Sequence, residues 1–184
     1  MRFSLAALLL ASALLQPLPA GASLPFYNPD LGYTIWLPGE WAEARPALLR
    51  RYAALRDGVG RDGGWTAGYA LDRSGETCLL VSAVPGRVVS RADMANFNQF
   101  IIRGIQRAER AGCRRLREAS FLPEKPMLRL VMDLDPARTS VVHLVYTRTG
   151  MLKFTGVARR GDADGVLAID RAVASLYLDQ GLVR

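Results

Sequence analysis

The chain has 184 residues, half of them hydrophobic, and a formal charge of +7 in which every cation except Lys125 and Lys153 is an arginine. Such a length buries one core and is too short to divide into two. The arginines are scattered through every segment and lack the aromatic interleaving of a single-strand binder, so nucleic acid is not an expected partner; they read first as a solvated surface, and the partner otherwise is an envelope protein or an anionic envelope component.

In chain order, Arg2, the apolar run Leu5 to Leu15 and Ala20-Gly21-Ala22 follow the positive, hydrophobic and small-residue sequence of a secretory signal peptide. Residues 1–22 are therefore read as a leader cleaved near Ala22, and 23–184 as a single α/β domain with a periplasmic or secreted location. The apolar run is shorter than the roughly 20 residues a membrane helix needs, and no later stretch approaches that length, so no transmembrane segment is expected.

Pro25 to Asp30 is turn-rich, and Tyr33 to Leu37 reads as a strand ended by Pro38-Gly39. Pro46 is placed to open a short helix with Leu48, Tyr52 and Leu55 on one side and Asp57-Gly58 at its end. Gly58, Gly60 and Gly63 have the spacing of a dinucleotide fingerprint. They leave a helix and enter a strand, however, the reverse of the arrangement that aims a helix N-terminus at a pyrophosphate, so the segment is read as a loop. A hairpin then pairs Trp65 to Asp72 with Glu76 to Val84 through Arg73-Ser74-Gly75.

Ser90 to Gly112 is the most strongly specified element. Met94, Phe97, Ile101, Ile105 and Ala108 recur at helical spacing on one side, Ser90 and Asp93 form a capping pair at the start, and Gly112 offers a left-handed stop. Gly104 falls on the apolar side, where a close approach to a sheet would account for it. Beyond the helix, Arg114 to Leu122, Met127 to Leu134, Thr139 to Thr147 and Met151 to Ala158 read as a meander. In its second strand Leu128, Leu130, Met132 and Leu134 face one way and Arg129, Val131 and Asp133 the other, which predicts one buried face. Asp162 caps a last helix whose core stripe is Val166, Ile169, Val173 and Leu176.

Candidate sites are sparse. The far side of the long helix carries Asn96, Gln99, Arg103, Arg107 and Arg110, with Arg114 just beyond, and this stripe is either an ordinary solvated face or a surface for an anionic partner. His143 is the sole histidine, read first as structural. The alternative makes it the base of a small hydrolase, with Ser120 or Ser140 as nucleophile and Asp133 as orienting acid, although no nucleophile elbow accompanies it. One histidine is too few for the common catalytic zinc sites, and Asp162, Asp164 and Asp170 lack the calcium-loop pattern, so neither metal nor cofactor is expected. Cys78 and Cys113 are the two cysteines and, in an oxidising compartment, are expected to be bridged. Trp36, Trp41 and Trp65 suit a pocket as well as a core.

The segment Tyr27-Asn28-Pro29-Asp30-Leu31-Gly32-Tyr33 through Pro38-Gly39-Glu40-Trp41 resembles the opening of PsbP-like domains, a family that includes the bacterial DcrB-like proteins. Phe154-Thr155-Gly156 and Ala172 to Leu176 are similar to their closing strand and helix. The resemblance implies an α+β fold, an antiparallel sheet of about six to seven strands covered by helices in an αβα sandwich. It also implies a binding or assembly role in place of a reaction. The helix at Pro46 is an insertion relative to that pattern, and the lipid-bearing cysteine of the lipoprotein members is missing. The function expected is an exported, non-catalytic binding or assembly module of the bacterial envelope, with a small hydrolase or an anionic-lipid binder as alternatives.

Overall fold

The computed structural model describes residues 23–55, 64–86, 89–110, 115–122 and 125–182, with the side chain of Arg110 excepted. The expected leader, Gly112, Cys113 and Arg114 lie outside the described residues.

Among these, two antiparallel sheets form the frame. The large one has seven strands in the order β3 (Ala42–Glu43), β4 (Ala67–Ala70), β5 (Cys78–Pro85), β9 (Gly150–Arg159), β8 (Arg138–Thr147), β7 (Met127–Asp133) and β6 (Arg115–Leu122). The small one sets β2 (Tyr33–Leu37) between β1 (Leu24–Asn28) and β10 (Tyr177–Leu178). This is the expected α+β architecture with the meander intact. Pro25 to Asp30, expected as turn, instead contributes most of β1, because Phe26 opposite Ile35 and Asn28 opposite Tyr33 give it an inward row to bury. Neither two-residue edge strand, β3 or β10, carries enough alternation to be read from sequence.

Three helices cover the large sheet: α1 (Pro46–Arg51), α2 (Met94–Arg110) and α3 (Ala163–Ala174). Strand alternation sorts the core into two layers. Leu79, Val81, Leu152, Phe154, Val141 and Val145 point toward the small sheet and α3, meeting Tyr33, Ile35, Leu37, Ile169 and Val173. Leu128, Leu130, Met132, Val142, Leu144 and Tyr146 point the other way and receive Met94, Phe97, Ile101 and Ile105 of α2. Further along that second face, Tyr52 and Leu48 of the α1 segment close over Cys78, Leu80 and Val157. Both faces of the meander are thus covered, where the alternation of β7 predicted one.

The helices are fixed by different devices. Asp162 accepts from the Gly165 amide at 2.8 Å, which caps α3 as expected. Ser90 Oγ accepts from the Asp93 amide at 3.1 Å, so the capping pair forms, although helical geometry starts at Met94. Gly104 is exposed and a Cβ there would meet nothing within 4 Å, so the close approach expected of it does not occur. Ala108 is exposed as well, since no described residue of α2 beyond Ile105 is buried. The close approach lies at Gly156 on β9, where an added Cβ would overlap the Ile169 side chain of α3.

Two substitutions separate these glycines. Gly156→Val is expected to lower stability by about 1–3 kcal/mol through overpacking against Ile169, and Gly104→Ala to raise it by about 0.5–1 kcal/mol through helix propensity. Urea midpoints of the two variants check both signs.

Candidate functional site

Among the described residues, a group of interacting ionisable side chains lies between α3 and the large sheet. Alternation along β7 and β8 puts Arg129 and His143 on the α3 side as direct cross-strand neighbours. Asp170, one residue past the core position Ile169, meets both. Arg129 Nε and Nη2 each donate to the Asp170 carboxylate at 2.8 Å in a fork, and Arg129 Nη1 donates to Glu118 Oε1 of β6 at 2.8 Å. His143 Nε2 lies 3.0 Å from Asp170 Oδ1.

The protonation states follow from these contacts. Burial pushes the His143 imidazole down from its ordinary range, against the opposing pull of Asp170. A neutral ring facing an ionised carboxylate carries its proton on Nε2, which leaves Nδ1 bare, and Nδ1 is buried without a hydrogen-bond partner. Partial burial raises the Asp170 carboxyl, but its hydrogen bonds from His143 and Arg129 and the guanidinium charge outweigh that and hold it at about 2. The Asp170 hydrogen bond in turn raises Arg129.

This geometry does not assemble the hydrolase considered for His143. Ser140 lies three residues from His143 on β8, so it faces the opposite side of the sheet, and its Oγ has no hydrogen-bond partner. Ser120 stands opposite Arg129 on β6, two strands from His143, or about 10 Å at ordinary strand spacing. Asp133 is engaged by Arg117 at 2.8 Å and Arg160 at 3.3 Å. What His143, Arg129 and Asp170 do is dock α3.

The α2 stripe has the opposite character. Asn96, Gln99, Arg103 and Arg107 are all exposed on the side turned away from the sheet. Phe100, 70% exposed, stands among them and stacks on Phe97 with centroids 6.4 Å apart. Between α2 and β6 runs a groove of about 310 Å³ lined by Asn96, Gln99, Ile102, Ser120 and Phe121, with Phe100, Arg103 and Arg107 outside its lining. Arg110 and Arg114 belong to the same expected stripe, but their side chains lie outside the described set. Asn98, by contrast, is buried and accepts from the Tyr146 hydroxyl.

A second exposed feature escaped the sequence reading. Tyr27 and Tyr177 flank Thr34 across the small sheet, and Trp36 follows on the same side. All three aromatics are exposed. Trp41 and Trp65 are core residues, the latter with Lys153 Nζ 5.3 Å from its ring centre.

The expected bridge is not shown, because Cys113 lies outside the described residues, and Cys78 is buried and unpaired. The Cys78 side chain points into the Tyr52, Leu80 and Val157 cluster, where burial pushes the thiol up to about 12. Among the described residues, no group of three or more His, Cys, Asp or Glu side chains could hold a metal ion, and no helix is long and apolar enough to cross a membrane.

No protein-family model and no curated protein matches the chain in sequence. Its structure is similar to the solution structure of cyanobacterial PsbP (CyanoP) from Synechocystis sp. PCC 6803, with a TM-score of 0.52 at 14% identity over 90% of this chain and 99% of that one. A crystallised protein of Bacteroides thetaiotaomicron is a more distant likeness, at a TM-score of 0.46 and 11% identity over 86% of this chain and 49% of that one. The chain has a PsbP-like fold.

The His143 contact predicts an acid-sensitive fold. Unfolded, His143 titrates near 6.5; folded, it titrates lower, so between the two values the unfolded chain binds the extra proton. Its contribution is complete above about pH 6.5 and is lost as the pH falls below that. Asp170 adds a second loss between 3.8 and about 2. Urea midpoints of the wild type are expected to fall from pH 7 to pH 5, and those of His143→Gln to fall less.

Proposed function

We propose that the protein is an exported, non-catalytic binding module of the bacterial envelope, and that α2 presents its partner surface to an acidic region of another envelope protein. The observation that carries this reading is the composition of the outward side of α2. Exposed Phe100, Arg103 and Arg107 share that side with Asn96 and Gln99, whose side chains also line the groove toward β6, so apolar, charged and amide groups lie on one surface. Partner surfaces combine these elements, with an aromatic or arginine at the centre and polar groups at the rim. Arg103 and Arg107 form no ion pair with a described carboxylate, so both remain available to an external one. The leader-like order of residues 1–22 supports export, and the PsbP-like fold is compatible with a role in binding.

Two measurements test the proposal. The N-terminus of protein recovered from the cell envelope is expected to be Ser23, and recovery of an uncleaved chain from the cytoplasm would contradict export. Affinity capture from the organism's own envelope fraction is expected to yield a protein whose retention weakens with salt and falls about tenfold with Arg103→Glu and Arg107→Glu together. Retention unchanged in that variant removes α2 as the surface. Retention on anionic liposomes in place of a protein favours the lipid reading.

A further inference from the structure

At the end of the molecule where α3 gives way to β10, a cavity of about 240 Å³ opens beside the turn into β7. Met127, Val145, Val173 and Leu178 line it with apolar surface, the first three themselves buried. Two cations, Arg91 and Lys125, complete the lining, and no carboxylate among the described residues does so. Lys125 donates to the Ala174 and Leu176 carbonyls at the C-terminal end of α3, which fixes its ammonium at the cavity. Arg91 forms no ion pair or hydrogen bond with any described residue. The exposed ring of Tyr177 forms one wall and continues onto the aromatic side of the small sheet.

We infer that this cavity binds a single-chain carboxylate amphiphile, a free fatty acid, with its head between Arg91 and Lys125 and the start of its chain on the apolar floor. The charge pattern selects the head group. Two cations at one opening, with no described carboxylate in its lining, favour an anion, and an uncharged or cationic head forfeits that attraction. The floor selects the tail, because burying each methylene is worth about 0.8 kcal/mol. The volume is below the roughly 300–1,000 Å³ of drug-sized pockets, which suits one chain and not the paired chains of a phospholipid. Tyr177, amphipathic and half exposed, covers the portion of the chain that emerges. The site is separate from the α2 surface and does not depend on it.

Calorimetry on the full-length exported protein with monomeric sodium decanoate tests the inference, with decanol and decyltrimethylammonium as controls. Decanoate is expected to bind saturably, one molecule per chain, and at least about tenfold more tightly than either control. Arg91→Glu, at an exposed position whose side chain makes no ion pair or hydrogen bond with a described residue, is expected to weaken decanoate about tenfold with an unchanged urea midpoint. Methyl resonances of Met127, Val145 and Val173 should shift on binding. Equal affinity for decanol, an unaffected Arg91→Glu variant, or shifts confined elsewhere would overturn the assignment. Phosphatidylglycerol vesicles that bind while monomeric decanoate does not would overturn it in favour of a membrane surface. Arg103→Glu with Arg107→Glu should leave decanoate affinity intact, so failure of the partner surface and failure of this site are separately visible.

Discussion

The contact on which the molecule's layering depends is the fork from Arg129 to Asp170. A largely buried guanidinium on the strand next to the sheet edge would carry a desolvation cost alone. Asp170 answers it with two hydrogen bonds and at the same time holds the proton side of His143. Arg129 has a further acceptor in Glu118, and Asp170 is the partner that Arg129 and His143 share. With Nε2 turned to the carboxylate, the bare Nδ1 has nothing to accept from, and a second proton there would find no acceptor. The arrangement is therefore compatible with one charge state of His143 and one seating of α3. Gly156 sets the depth of that seating, since its missing side chain is the space Ile169 occupies.

The two faces of the large sheet consequently hold their helices by different physics. α3 is a locked layer, with a polar network and a capped first turn. α2 rests on an apolar stripe supplemented by the Tyr146–Asn98 hydrogen bond, and its outer side makes no comparable demand on the fold. A side chain that the fold does not need can vary in the service of a partner. Phe100, Arg103 and Arg107 are such side chains, whereas Arg129 and Asp170 are not. Arginine content by itself does not reveal this difference, because the scattered cations of this chain serve both purposes.

Much of the fold was legible from local pattern. The meander, the hairpin through Gly75, the long helix and the Asp162 cap each rest on periodicity or turn chemistry within a short window, and the structure places all of them. What failed had causes beyond such a window. Residues of β1 are rich in turn formers, yet pairing with β2 gives Phe26 and Asn28 an inward row, a tertiary gain that overrides propensity. Gly104 lies beside the apolar stripe of α2, but only the packed structure shows that nothing approaches it. Arg129 and Asp170 left a faint trace, an arginine within an alternating strand and an acid beside a core stripe. Their partnership spans 41 residues. The Tyr27, Trp36 and Tyr177 cluster depended on β10, whose two residues carry no periodicity.

If α3 is locked by Asp170 while α2 is held independently, the two layers open separately. Native-state amide hydrogen exchange on Asp170→Asn tests this most directly. The account predicts that amides of 163–174 lose protection while those of 94–110 keep the protection they have in the wild type. Equal loss across both helices, or no loss in α3, would contradict it.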